Sequence, residues 1–159
     1  MTNDLSAGTR VKARDFPRAY QSFNQESQVN ITDTSYTPAE TGDPECAVRF
    51  LAPSSGRVAV VLSAGVRNNT AANEDRVFVS FRVLEGDPAD NELFQTEEVK
   101  LGISNSAAGA DDFQYAGHAT MVQGLTPGVH YYAQIRHRTT LGAGTADISF
   151  RKILVFPLS

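Results

Sequence analysis

The last third of the chain, Gly124 to Ser159, restricts the fold more than any other stretch. Gly124-Leu125-Thr126-Pro127-Gly128 reads as a turn, with Pro127 pre-set for it. From His130 to Arg138 the side chains alternate: Tyr131, Ala133 and Ile135 on one face, Tyr132, Gln134, Arg136 and Arg138 on the other. A period of two is the mark of a strand with one buried face, so the first set is expected inward. After a connection holding Gly142 and Gly144, the chain closes on a long strand from Thr145 to Phe156. There Ala146, Ile148 and Phe150 are expected inward, and Asp147, Ser149 and Arg151 outward. The alternation switches near Lys152, which marks either a bulge or burial on both faces against a partner. Either Ile153 and Val155 or Leu154 and Phe156 then face the core. A chain that ends this way has placed its final strand inside a sheet.

The same period recurs upstream. Cys46 to Leu51 is a short strand closed by Pro53-Ser54-Ser55-Gly56. Arg57 to Val66 puts Val58, Val60, Leu62, Ala64 and Val66 on one face, and Arg76 to Glu85 does so with Val77, Val79, Phe81 and Val83. Phe94 to Leu101 fits a short helix or an edge strand, with strand preferred. Phe113 to Val122 places Phe113, Tyr115, Gly117, Ala119 and Met121 on one face, read as inward, and His118 on the outward face. The strands flanking the Gly124 turn are candidate hairpin neighbours. Six or more strands, turns about every ten residues and no convincing helix predict an all-β antiparallel sandwich, jelly-roll or immunoglobulin-like.

Residues 1–45 have a different texture, with isolated hydrophobes among Ser, Thr, Asn, Gln and Asp. Thr9 to Ala13 and Gln28 to Thr32 fit short strands, and Pro17 bends the chain at Asp15-Phe16-Pro17. Such a segment cannot make a core alone. It reads as an extended arm whose spaced hydrophobes dock on the sandwich or, preferentially, on a neighbouring subunit, with Val11, Phe16, Pro17, Tyr20 and Phe23 as attachment residues. The domain boundaries that follow are an arm at 1–45 and a sandwich at 46–159.

Chemistry-bearing patterns are few. The net charge of −4 argues against a nucleic-acid surface over the whole domain. Cys46 is the single cysteine, so no intrachain disulfide forms; it reads as a small buried residue. His118, His130 and His137 lack metal-ligand spacing. The acidic loop 86–92 lacks the full calcium pattern and reads as a solvated turn, as does Asp111-Asp112. Neither a G-x-S-x-G elbow nor a phosphate-cradling glycine loop occurs. No catalytic residue, metal site or cofactor is expected. Met1-Thr2-Asn3-Asp4-Leu5-Ser6 lacks a signal-peptide core and Val58 to Leu62 is too short to span a bilayer, so synthesis in a cytoplasm and no membrane contact are expected.

Tyr132, Arg136, Arg138 and Arg151 are expected to form a basic stripe on the outward face of the closing hairpin. That stripe is either a contact face for an acidic partner or sugar, or a guard against edge pairing. For sugar binding, Tyr132 and Tyr115 are the only plausible aromatics, and Tyr115 points inward by parity.

Two blocks carry a resemblance. One is Gly8-Thr9-Arg10-Val11-Lys12-Ala13-Arg14-Asp15-Phe16-Pro17 with Asn30-Ile31-Thr32-Asp33-Thr34-Ser35-Tyr36-Thr37-Pro38. The other is Phe50-Leu51-Ala52-Pro53-Ser54-Ser55-Gly56-Arg57-Val58 with Gly124 to Gly128 and Ile153-Leu154-Val155-Phe156-Pro157. Together they resemble small β-sandwich structural proteins of tailed bacteriophages of actinobacteria: capsid decorations, fibres and minor tail proteins. The resemblance implies a non-enzymatic virion protein, a homo-oligomer with a trimer favoured, partnered with major capsid or tail proteins. A capsid decoration or head fibre is preferred; a tail-associated protein or a carbohydrate-binding adhesion module on a host-surface glycan is the alternative.

Overall fold

The computed structural model describes residues 18–38, 45–70, 74–86, 92–95, 101–104 and 112–159. Ten strands form within them: β1 (Tyr20–Asn24), β2 (Gln28–Ile31), β3 (Ala47–Leu51), β4 (Arg57–Asn68), β5 (Arg76–Glu85), β6 (Glu92–Gln95), β7 (Leu101–Ser104), β8 (Gln114–Gln123), β9 (His130–Thr139) and β10 (Ala146–Pro157). There is no helix among the described residues.

The strands make two antiparallel sheets of five. In the first, β10 lies between β4 on one side and β1 and β2 on the other, and β8 extends the sheet beyond β4. In the second, β9 lies between β3 and β5, and the far edge of β5 pairs with β7 and then β6. The expected sandwich is present, with the closing strand inside its sheet. Of the Phe94–Leu101 region, Phe94 and Gln95 lie in β6 and Leu101 opens β7, and residues 96–100 lie outside the described residues.

The core is the space between the sheets. Val58, Val60, Leu62, Ala64 and Val66 of β4 meet Val77, Val79, Phe81 and Val83 of β5 and Tyr131, Ala133 and Ile135 of β9. Each alternates with a more exposed neighbour, as the period of two requires. Phe50 ties the layers together, with Tyr131 at 5.9 Å and Tyr20 at 6.2 Å between ring centroids.

Three expectations are corrected. First, the sandwich does not begin at Cys46. β1 pairs with Ser22 opposite Ile153, β2 with Ile31 opposite Ala146, and Ile31 is a core residue. Residues 20–31 thus belong to the first sheet, because β10 is long enough to offer an edge to two short strands in succession. Val11, Phe16 and Pro17 lie outside the described residues. Second, the strands flanking the Gly124 turn are not a hairpin, and neither are β9 and β10: each pair is split between the two sheets. Third, β8 carries its faces the other way round. Tyr115 and Met121 are 63% and 54% exposed, while Val122 is buried in the core.

Candidate functional site

The expected basic stripe does not form. Tyr132, Arg136 and Arg138 lie on β9 in the second sheet, whereas Arg151 lies on β10 in the first. Arg151 is moreover 0% exposed. The cause is a bulge: Ser149 pairs with Gly65 but Lys152 pairs with Ser63, so β10 spends three steps where β4 spends two. The extra residue is Phe150, held at φ 50°. It inverts the alternation, turning Arg151, Ile153 and Val155 inward and Phe150, Leu154 and Phe156 outward. The sequence located the switch near Lys152; its centre is two residues earlier.

The remaining three are engaged within the chain. The Tyr132 hydroxyl donates to Glu45 at 3.1 Å. Arg136 donates to the Tyr36 carbonyl. Arg138 lies over the rings of Phe78 at 4.6 Å and Tyr36 at 5.4 Å. Of the arm residues, Tyr20 packs against the core, and Phe23 stands 51% exposed on β1 beside Lys152.

The buried polar groups fasten loops. Asp75 is fully buried and accepts from the amides of Thr140 (3.2 Å), Leu141 (2.9 Å) and Ala143 (3.3 Å) and from the Thr140 hydroxyl (3.1 Å). It thereby folds the β9–β10 connection onto the start of β5. Asp147 accepts from the Asn30 amide at 2.8 Å and pairs with Arg67 Nε at 2.7 Å, joining β2, β4 and β10. The Ser27 hydroxyl donates to the Ser149 hydroxyl at 2.8 Å, and that hydroxyl donates to the Gln25 carbonyl at 3.3 Å. The β1–β2 connection therefore covers the outer side of β10 at Asp147 and Ser149, whereas past Lys152, where two-sided burial was the alternative expectation, Leu154 is half-buried and Phe156 exposed. Cys46 is buried, with its thiol 3.3 Å from the Arg151 carbonyl. Burial pushes that thiol above its ordinary value, against the lowering effects of Ser22 and Arg151. His137 is buried and His118 and His130 are exposed. Among the described residues no three of His, Cys, Asp and Glu are placed to hold a metal ion.

The surface that stands out is the outer face of the first sheet. Cross-strand registers set it out in rows: Met121–Ala59–Phe156, then Ala119–Val61–Leu154–Gln21, then Gly117–Ser63–Lys152–Phe23, then Tyr115–Gly65 with the bulged Phe150 alongside. Phe150 is 40% exposed and Phe156 38%. Tyr115 lies across Gly65, where an added Cβ would sit 2.7 Å from the ring, and meets Phe150 edge-on at 5.6 Å. An aromatic ring laid over a cross-strand glycine is a known sheet device. Lys152 is the only charged side chain in these rows. Small residues fill the middle of β4 and β8, and large apolar side chains stand around them. Sequence reasoning missed this face because it assigned Tyr115, Met121 and Phe150 to the core.

No protein-family model and no curated protein matches the chain. Among solved structures it is similar to infectious bursal disease virus Gt strain, at 8% identity and a TM-score of 0.49 over 89% of this chain and 33% of that one. It is similar to the CBM22-1 xylan-binding domain from Paenibacillus barcinonensis, at 8% identity and 0.38 over 94% and 100% of the two chains. A family 35 carbohydrate-binding module from Clostridium thermocellum gives 17% and 0.33 over 89% and 98%. The chain spans only 13% of latent PorU from Porphyromonas gingivalis, another similar structure. Likenesses this distant carry no argument about function, and the fold class rests on the strand pairings of this chain.

Proposed function

We propose that this chain is a non-enzymatic structural subunit of a virion, a capsid decoration or head-fibre protein of a tailed bacteriophage. It works by packing its surfaces against neighbouring proteins. The observation that carries this reading is the outer face of the first sheet, where Met121, Phe156, Leu154, Val61, Phe150 and Tyr115 lie together on the surface. Contiguous apolar surface of this kind marks an interaction site rather than a solvated face. The blocks Gly8 to Pro17 and Phe50 to Val58 support the phage assignment by resemblance. Attachment to the particle is assigned to the N-terminal residues 1–17, with trimeric assembly and capsid partners as the resemblance implies.

Mass spectrometry of purified particles of the phage that encodes the chain tests the reading. The chain is expected as an abundant virion component, and its absence from particles would overturn the proposal. A truncation lacking residues 1–17 keeps both β1 and β2, and is expected to fold yet be lost from particles.

A second reading, carbohydrate binding at the cell surface, gains one observation: Tyr115 is exposed after all. Its ring meets Phe150 at an interplanar angle of 67°, however, so the two do not form the flat platform that a sugar ring stacks on. A glycan array read with the intact chain separates the readings, and specific hits abolished by Tyr115→Ala would favour this one.

A further inference from the structure

We infer that the partner of the exposed sheet face is a second copy of this chain. The inference rests on the reading of the chain as an assembly subunit and names what that subunit packs against.

Three properties of the face point to a copy of itself. The first is charge. Lys152 is the single charged side chain in the rows, which end on Arg57–Gln123 at one side and on the Arg67–Asp147 ion pair at the other; Ser63, Gln21 and the Tyr115 hydroxyl are the other polar groups. Nucleic acid, an acidic polypeptide or an anionic headgroup layer needs several cations, and a sugar needs convergent donors and acceptors. A second apolar sheet needs neither.

The second is shape. Gly117, Ala119, Ala59 and Ser63 keep the middle of β4 and β8 low beside Val61, the Tyr115 ring covers Gly65, and Met121, Phe156 and Phe150 stand around them. Large side chains of one copy fit over the low middle of the other. Two sheets of the same twist pack face to face at about 30° and about 10 Å apart.

The third is area and edge. Fourteen positions, on strands about 4.8 Å apart and in rows about 6.8 Å apart, give about 460 Å² on each copy. A pair then buries about 900 Å² through the face alone, just under the roughly 1,000 Å² expected of a specific interface. The adjoining edge adds to it. β8 pairs with β4 alone among the described residues, and its ten residues, Gln114 to Gln123, include no lysine, arginine, acid or proline. Edge strands that stay monomeric are guarded by such residues. An unguarded ten-residue edge beside an apolar face is built to be covered.

Analytical ultracentrifugation of the full chain tests this, using wild type, Ala119→Glu, Met121→Glu and, as a control on the second sheet, Arg49→Glu. All three sites are exposed, so the substitutions leave the core intact. Wild type and Arg49→Glu are expected at a multiple of the 17.2 kDa protomer mass. Ala119→Glu and Met121→Glu are expected at the protomer mass, with unchanged circular dichroism and unfolding midpoint. A monomeric wild type, or face variants that keep the wild-type mass, overturns the inference. If a monomeric wild type is nevertheless abundant in particles, the second copy is ruled out while the proposed function stands. A face-dependent oligomer absent from particles has the opposite meaning.

Discussion

Gly56 joins two turns at one end of the sandwich. Its carbonyl accepts from the Leu125 amide at 3.1 Å, and its φ of 64° is left-handed. A Cβ there would stand 2.5 Å from the Leu125 carbonyl oxygen, which is backbone and cannot swing aside. Gly56→Ala is therefore expected to lower stability by about 2–3 kcal/mol in denaturant unfolding, from left-handed strain plus overpacking. Asp75 tests the loop clamp. Asp75→Ala strands the Leu141 and Ala143 amides and the Thr140 hydroxyl, leaves the Thr140 amide only its bond to the Arg76 carbonyl, and is expected to destabilise by about 3 kcal/mol, with faster amide exchange at Leu141 and Ala143. Asp75→Asn, which keeps an acceptor, is expected to lose less. Cys46 predicts a pH effect. Its folded-state value is raised above the ordinary 9.0, first by burial. The folded thiol therefore holds its proton where the unfolded one releases it. Its contribution is fully present below about pH 9 and falls away as pH rises through the folded value. Native Cys46 is expected to resist alkylation at neutral pH, and Cys46→Ala is expected to flatten the stability loss above pH 9.

At the scale of elements, the legible strands were those with one apolar and one polar face. β5 and β9 announce their buried sides because Arg, Gln and Ser alternate with Val, Phe and Ile, and β4 does so through Arg57, Ser63 and Arg67 opposite its valines and Leu62. β8 does not. Tyr115, Gly117, Ala119 and Met121 are as apolar as Ala116 and Val122, so periodicity finds the strand but cannot choose its inner face. The choice is settled by pairing with β4, where Gly65 leaves room for Tyr115 on the outside. In β10 the bulge was foreseen, but its position was not, since a one-residue insertion leaves no composition signal when an aromatic fills it. β1 and β2 were read as arm because four- and five-residue strands bury too little to show a pattern. The bulge gives a prediction of its own. Phe150 is held at φ 50°, which β-branched residues tolerate worst. Phe150→Val is expected to cost about 1–2 kcal/mol in unfolding free energy. Phe150→Gly relieves the strain but loses the edge-on contact with Tyr115, and should stay within about 1 kcal/mol of wild type.

At the scale of the whole molecule, the two outer faces differ. On the second sheet, Arg82, Arg136 and Arg138 are tied up by Gln134, Tyr36 and Phe78 of the same chain. Among the described residues, nothing of the first sheet covers Met121, Tyr115, Phe150 and Phe156, and β8 beside them pairs only with β4. The expected arginine stripe is split between the two sheets, while the apolar face was hidden in the sequence among residues that looked like core. Oxidation of Met121 tests the account most directly, because that side chain is 54% exposed in the single chain and lies within the proposed contact. Peroxide oxidation, followed by peptide mass spectrometry from dilute to concentrated solution, is expected to slow at Met121 as the chain associates, and to stay fast in Ala119→Glu. An equal rate at Met121 across the whole concentration range would contradict the account.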